Sequence, residues 1–464
     1  MPPKFGTSGL RGLVTELTPD LVGAHVQAFI RACPVGTGLF VGRDLRPSSP
    51  AIAGMVAQAA QAAGLAVTDC GDVPTPALAL AAMEAGACAV MITGSHIPAD
   101  RNGLKFYTPA GEITKAHEGA ILAALDGKTD TVAGPAVVQN SQAGAAYVAR
   151  FVTAYGTALT GLRIGIYSHS AVGRDLLLDL FAQLGADVVE LGRSPAFIPV
   201  DTEAVDPAIR SQLKTWASAH ALDAIISTDG DGDRPLMTDA SGTVIVGDIL
   251  GQITGAALNA QTAVTPVSSN TGAEDKFDTV VRTRIGSPYV IAGMEQAVGN
   301  VVGYEANGGF LLGYNAAGPA GALPPLMTRD AVLPLVAPLA LAHQKGGLAA
   351  LVAAEPARFT AADRLQDVPT EKSNALVGSF DTDTGKRAAF LARMDGIEAG
   401  VDRTDGLRMT LLDGRIVHLR PSGNAPELRL YVEARTVSLA SETLASGLDV
   451  LRQSIAELPD QVAL

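Results

Sequence analysis

Short apolar runs alternate with alanine-rich helical patterns along most of this chain, and that alternation limits the fold more than any other feature. Residues 38–41, 65–68 and 87–92 have the composition of strands, and the stretches 50–63 and 76–84 between them carry helical patterns. This rhythm predicts a βαβαβ unit with a largely parallel sheet. It restarts after Gly134-Pro135, with helices at 142–155, 174–184 and 208–219 and strands at 163–167, 187–191 and 223–227. A third round begins near Val246, with helices at 248–258, 288–298 and 329–342 and strands at 263–268, 279–285 and 300–304.

The last hundred residues have a different character. Residues 407–412, Asp413-Gly414 and residues 415–419 form a hairpin pattern, and Asp-Gly suits a type I′ turn. A further strand at 427–433 and a closing helix at 439–455 complete a smaller domain. A chain of 464 residues exceeds what one hydrophobic core supports, so about three or four domains are expected. The expected fold class is α/β: three consecutive mixed, mostly parallel α/β domains at 1–138, 139–243 and 244–355, followed by a smaller C-terminal α+β domain at 356–464.

Composition excludes several function classes. The 34 basic and 47 acidic residues give a net charge of −13, and only 5% of residues are aromatic, which argues against a nucleic-acid partner. The three cysteines, Cys33, Cys70 and Cys88, are far apart in apolar surroundings and imply neither a disulfide framework nor a thiolate metal site. The N-terminus runs from Pro2-Pro3-Lys4 into a glycine-rich motif without a signal-peptide pattern. The apolar stretch 331–341 contains Pro334 and Pro338 and then meets His343-Gln344-Lys345, so no membrane span is expected. A reducing, cytoplasmic setting is the expectation.

Asp229-Gly230-Asp231-Gly232-Asp233-Arg234 follows a strand at its carboxyl end, where open α/β sheets bind ligands. Alternating carboxylates with glycines between them can converge on a hard cation such as Mg2+. An EF-hand is excluded, because Arg234 stands where that loop needs glycine and Ala240 where it needs glutamate. A solvated acidic turn is the bland reading, and three like charges this close disfavour it unless they are neutralised.

Thr93-Gly94-Ser95-His96-Ile97-Pro98 leaves the strand at 87–92, and Lys105 follows within the same glycine-punctuated loop. Ser95 offers a hydroxyl nucleophile with an imidazole beside it, although alone it reads equally well as a turn serine. The serine-hydrolase elbow is excluded, because Thr93 and Ile97 stand where that motif needs glycine. Arg420-Pro421-Ser422-Gly423-Asn424-Ala425-Pro426 has the composition of a phosphate cradle or of an ordinary turn. Gly303-Tyr304-Glu305-Ala306-Asn307-Gly308-Gly309 offers a carboxylate and an amide suited to sugar hydroxyls, or a tight turn. The segments 5–12 and 42–47 add cationic, glycine-rich loops whose role is either chemical or structural.

Taken together, FGTSGLRG, TGSHIPADRNGLKFY, DGDGDR, YEANGG and RPSGNAP resemble the motifs of the α-D-phosphohexomutase family, in that family's order and spacing and over nearly the whole chain. The resemblance implies four domains around one central active-site cleft. It implies that Ser95 is phosphorylated and that Asp229, Asp231 and Asp233 hold Mg2+ beside its phosphate, with Ser95 itself in the metal's reach. Arg11, His96 and Lys105 would assist proton transfer and charge stabilisation, and Arg234 would brace the metal loop. Glu305 and Asn307 would read sugar hydroxyls. Arg420, Ser422, Gly423, Asn424 and Arg429 would bind the distal phosphate.

The implied reaction is the reversible conversion of hexose 1-phosphate and hexose 6-phosphate through a phosphoserine enzyme, with glucose or mannose 1,6-bisphosphate as activator. Mannose phosphate is the expected substrate, with glucose phosphate beside it, in a monomer or small homo-oligomer. The alternatives are a mutase for glucosamine or N-acetylglucosamine phosphate and, in another class, a non-catalytic sugar-phosphate sensor. Gly94, Ile97, Ala425 and Gly309 depart from residues frequent in the family, and Gly309 bears on the sugar most directly.

Overall fold

Residues 3–6, 9–127, 134–422 and 426–457 are described by the structure, a computed structural model. The chain forms two compact units, one comprising residues 1–264, 277–279 and 286–355, the other residues 265–276, 280–285 and 356–464.

The first unit holds successive α/β layers. In the first, Leu39–Arg43 lies between Val67–Asp72 and Cys88–Ile92, all parallel, as the alternation predicts. Cys88–Ile92 is apolar and buried at every position, which suits a central strand covered on both faces. Helices Pro19–Ala32 and Ser49–Ala62 pack together, with Val22, Val26, Phe29, Leu39, Val41, Ile52 and Val56 in one core. Helix Thr75–Glu84 is apolar around its circumference and buried along almost its whole length, because helix Ala143–Tyr155 also packs on it.

Each parallel core is extended by antiparallel strands, so the sheets are mixed. Arg101–Thr108 runs antiparallel to Cys88–Ile92, with Lys105 opposite Met91. In the next layer Asp187–Leu191, Arg163–Tyr167 and Ala224–Thr228 are parallel, and Pro235–Thr238 and Val244–Ile245 add an antiparallel wing. In the third, Thr262–Pro266 and Val301–Tyr304 are parallel, and Phe310–Leu312 and Leu326–Asp330 return antiparallel.

Three expectations are corrected here. Lys105 lies on a strand and not in the loop that carries Ser95. The helix expected from residue 329 begins at Leu333, and Arg329 belongs to the strand Leu326–Asp330, whose Asp330 accepts a hydrogen bond from the Val332 N–H at 2.8 Å and ends the extended run. The Asp413-Gly414 turn is not type I′. Gly414 has φ 84° while Asp413 is not among the residues with positive φ, Gly414 N–H reaches Leu411 O, and Leu411 N–H reaches Arg415 O. That pattern is a three-residue connection with glycine in the left-handed position, which relieves Asp413 of positive φ.

The second unit is built on the antiparallel sheet Phe359–Leu365, Leu428–Ala434, Ile416–Pro421, Leu407–Leu411 and Glu398–Asp402. Helices Thr370–Thr382, Thr384–Ala392 and Val437–Ala456 accompany it, and Leu376, Phe380, Leu391, Met409, Leu419, Leu430 and Leu451 share its core.

His418, 1% exposed on the middle strand, donates from Nε2 to Asp405 O at 2.6 Å. Burial pushes its imidazole down from 6.5 to about 4, a shift that the Asp405 hydrogen bond opposes. A histidine neutral in the fold and basic when unfolded leaves stability intact above pH 6.5 and removes it as the pH falls toward 4. The loss attributable to His418 is expected to be about 3 kcal/mol. Chemical denaturation at pH 7 and pH 4.5 should show a smaller acid-induced loss for His418→Gln than for wild type. Equal losses would reject the assignment.

Candidate active site

The loop after Ala224–Thr228 curls so that Asp229, Asp231 and Asp233, all fully buried, bring a carboxylate oxygen each to within 4.8 Å of one another. Their remaining contacts differ. Asp229 Oδ2 accepts a 2.5 Å hydrogen bond from Ser95 Oγ, and Asp231 Oδ2 accepts from Thr75 Oγ1 and Lys105 Nζ, each at 2.6 Å. Asp233 Oδ2 meets Lys105 Nζ at 2.5 Å and Arg329 Nη2 at 2.9 Å. Among the described residues the opposite oxygens, Asp231 Oδ1 and Asp233 Oδ1, are buried without a hydrogen-bond partner, and Arg234 Nε lies 3.8 Å from Asp233 Oδ1. Buried carboxylate oxygens left in that state fit a hard divalent cation, and Mg2+ takes such donors.

Electrostatics within the triad point the same way. Burial, together with Asp231 and Asp233, pushes the Asp229 carboxyl well above the ordinary range. Burial acts in the same sense on Asp231, but Lys105 and the hydrogen bonds from Lys105 and Thr75 outweigh it and hold that carboxyl below the ordinary range. Lys105 thus serves as a fixed countercharge, buried at 3% exposure on a strand where the sequence suggests a place in the glycine-punctuated loop with Ser95.

Ser95 is held in an uncommon backbone conformation. Its φ is 54°, its N–H is bound to Thr93 Oγ1 at 2.7 Å, and its side chain is 3.3 Å from His96 Nδ1. Arg46 fixes the turn from beneath. Its Nη2 donates to Ser95 O at 2.9 Å and Ile97 O at 2.6 Å, its Nη1 to Pro98 O at 2.8 Å and Arg101 O at 3.2 Å, and its Nε to Asp44 Oδ2 at 3.1 Å. The guanidinium carbon lies 4.0 Å from the centroid of the Phe197 ring. Gly94 makes that seat possible, because a Cβ there would come within 2.7 Å of the Arg46 guanidinium.

His96 is neutral. Burial and the neighbouring Arg234 push its imidazole down to about 3. Arg234 Nη1 is 2.8 Å from His96 Nδ1 and donates to it, so the ring proton is assigned to Nε2, which faces Asp201 Oδ2 at 3.9 Å. Asp201 is anchored in turn, with Oδ1 accepting from Glu203 N–H at 3.0 Å and Ala204 N–H at 3.2 Å. Arg11, on Leu10–Leu13 beside Gly103, is pushed down to about 10 by burial and by Arg234 and Arg329.

The loop carrying Glu305 and Asn307 joins the same cluster. Glu305 Oε2 lies 3.6 Å from Arg329 Nη1, and Arg329 Nη2 also lies 3.7 Å from Glu112 Oε1. Burial pushes Glu305 up, against the opposing pull of Arg329 and Arg234. Asn307 Oδ1 accepts from Gly309 N–H at 3.0 Å, and its backbone carbonyl accepts from Thr202 Oγ1 at 3.1 Å. The turn therefore uses the Asn307 side-chain oxygen. At Gly309 a Cβ would stand 3.0 Å from Arg329 Cδ, so the missing side chain gives Arg329 its room.

In the second unit, Arg420 Nε donates to Asp405 Oδ2 at 2.9 Å, and Arg429 Nη2 to Glu427 Oε2 at 3.2 Å. Arg420 and Arg429 face each other on adjacent strands, and Arg364 lies opposite Arg429 on the next, which aligns three guanidinium-bearing positions on one face. Ser422 N–H bonds Glu427 O at 2.9 Å. Gly423 and Asn424 lie outside the described residues, as do Thr7 and Ser8 of the opening motif.

Thr75, Arg46, Asp201 and Arg329 escape the sequence reading as site residues. Arg46 lies in a cationic loop that the reading noted without assigning. The others carry no local signal, because their partners are distant in sequence.

Comparison with known proteins fits this geometry. Domains I, II and III of the family described as phosphoglucomutase/phosphomannomutase, each alpha/beta/alpha, match residues 2–131, 145–242 and 238–359, and its C-terminal domain matches residues 364–446. A phosphomannomutase of Sinorhizobium fredii is 46% identical over 98% of this chain and all of its own length. One from Salmonella muenchen is 43% identical over 93% of this chain and 91% of its own. A crystal structure of a phosphoglucomutase/phosphomannomutase family protein from Burkholderia thailandensis shares the fold, with a TM-score of 0.76 and 21% identity over 98% of both chains. With all four domains matched and a relative this similar along its whole length, the chain belongs to the phosphoglucomutase/phosphomannomutase family.

Proposed function

We propose that this protein is a phosphomannomutase that also accepts glucose phosphates, interconverting hexose 1-phosphate and hexose 6-phosphate through phospho-Ser95 and a hexose 1,6-bisphosphate. The observation that carries the reading is the Ser95 hydroxyl set 2.5 Å from Asp229 in a buried acidic triad, together with 46% identity to a phosphomannomutase. Asp229, Asp231 and Asp233 would hold Mg2+, with Ser95 at its edge. When bound, that ion supplies charge neutralisation to the phosphoryl group being transferred.

The chain's own residues supply positioning and proton handling, which is most of what phosphoryl transfer asks of a protein. In the forward half-reaction the bond from phosphorus to Ser95 Oγ breaks as a bond to a sugar hydroxyl oxygen forms, and the hydroxyl proton ends on the freed Ser95 Oγ. In the return half-reaction the bond from the other phosphorus to its sugar oxygen breaks as a bond to Ser95 Oγ forms, and the serine proton ends on the freed sugar oxygen. His96 Nδ1, 3.3 Å from Oγ, is placed to relay that proton once Arg234 yields the nitrogen. Lys105 and Arg11 would stabilise the charge, Glu305 and Asn307 would read the sugar, and Arg420, Ser422, Gly423, Asn424 and Arg429 would bind the distal phosphate. Glucose or mannose 1,6-bisphosphate is the activator this scheme requires.

Among the described residues no helix is long and apolar enough to cross a membrane. A cytoplasmic enzyme acting on free hexose phosphates is our reading.

A substrate panel tests the sugar. With Mg2+ and a bisphosphate primer, kcat/KM is expected to be highest for mannose 1-phosphate, with glucose 1-phosphate next. A higher value for glucosamine 1-phosphate would overturn the sugar assignment but leave the reaction. Binding without turnover of any member would overturn the mutase reading in favour of a sensor.

A further inference from the structure

We infer that Thr75 is a positioning residue for the divalent cation, acting through Asp231. The inference rests on the metal-binding reading of the aspartate triad and extends it to a residue in a different layer of the fold. Thr75 is the first residue of the ten-residue helix Thr75–Glu84 and is fully buried. It makes two bonds to one aspartate. Its Oγ1 donates to Asp231 Oδ2 at 2.6 Å, and its backbone N–H donates to Asp231 O at 2.9 Å.

A carboxylate on a flexible glycine-flanked loop can rotate about its own side-chain bonds and present either oxygen, or both, to a cation. At Asp231 that freedom is removed. Thr75 and Lys105 both hold Oδ2, and Oδ1 is buried with no hydrogen-bond partner among the described residues. The helix start also locks the backbone of the same residue, so the direction in which Oδ1 points is set from two sides. Pro74 also lies against Gly232 of the same loop, where a Cβ would stand 3.0 Å from Pro74 Cβ.

Lys105 provides charge at Oδ2, but its ammonium is shared with Asp233 and rides on a long stem. The threonine hydroxyl is short, β-branched and anchored at a helix terminus, so it supplies direction where the lysine supplies charge. Groups that orient metal ligands in this way contribute about 10–100-fold to metal affinity.

The test is calorimetric titration of Mg2+ alone into the purified full chain, with thermal unfolding of each variant as a check on folding. Thr75→Val keeps the shape and removes the hydroxyl, and Thr75→Ser restores it. The expected result is Mg2+ binding about tenfold weaker or worse in Thr75→Val and wild-type-like in Thr75→Ser. Wild-type affinity in Thr75→Val would overturn the inference while leaving the metal site intact. Equal weakening in both variants would also overturn it, since packing of the methyl group and not the hydroxyl would then be responsible. Absence of Mg2+ binding by the wild-type chain would instead remove the metal reading on which the inference depends.

Discussion

Ser95→Ala is expected to lower kcat/KM for hexose phosphate interconversion by at least about a thousandfold, because every proposed phosphoryl transfer passes through the Ser95 oxygen. The variant keeps the backbone seat of the serine, since Arg46 holds the Ser95 carbonyl and not its side chain. Its fold should therefore survive, with a modest cost from the Asp229 oxygen that loses the 2.5 Å hydrogen bond. Mass spectrometry separates a chemical role from a structural one. After incubation with a hexose 1,6-bisphosphate, the wild-type peptide carrying Ser95 should gain about 80 Da, the mass of one phosphoryl group, and the alanine variant should not. Turnover near the wild-type rate in Ser95→Ala would sink the mechanism.

The fold was legible where local pattern and tertiary placement agree. Arg163–Tyr167 and Asp187–Leu191 coincide with their predicted limits, because each is a short apolar or β-branched run bounded by turn residues. Helix Pro19–Ala32 carries its own start signal. Thr18 accepts a hydrogen bond from Leu21 N–H, and proline stands in the first turn, both of which mark a helix start. Strand Arg101–Thr108 has no comparable local mark. Asn102 and Lys105 are buried polar residues satisfied by Ser48, Ser49, Asp231 and Asp233, partners that no sequence window contains.

The site divides along the same line. Glycine-punctuated motifs pointed to Ser95 and the aspartates, since their chemistry is written in adjacent residues. Arg329 was invisible for the opposite reason. It is 2% exposed among Asp233, Glu305 and Glu112, which come from three separate stretches of chain, and alone it resembles any basic residue at the edge of an apolar run.

Arg46→Met is the second large effect, and it falls on stability. The side chains of Arg46 and Asp44 are both fully buried, and the guanidinium serves the carbonyls of Ser95, Ile97, Pro98 and Arg101 as well as Asp44. Removing it leaves a buried carboxylate whose donors among the described residues are only the Ser49 and Thr93 hydroxyls and the backbone N–H of residue 46. Breaking one side of such a pair costs about 3–5 kcal/mol. For a domain of this kind that lowers the unfolding midpoint by on the order of 10 °C. Arg46→Lys should recover little, because one ammonium cannot span acceptors that the planar guanidinium reaches with three nitrogens.

Gly94→Ala tests the same contact from the other side. Its Cβ would press on the guanidinium at 2.7 Å, so alone it should destabilise the serine turn. In the Arg46→Met background the obstacle is a flexible thioether chain, and the added methyl should cost much less. A double-mutant cycle of thermal midpoints reads this coupling, and strictly additive losses would mean that Gly94 and Arg46 do not share the contact that holds Ser95 in place.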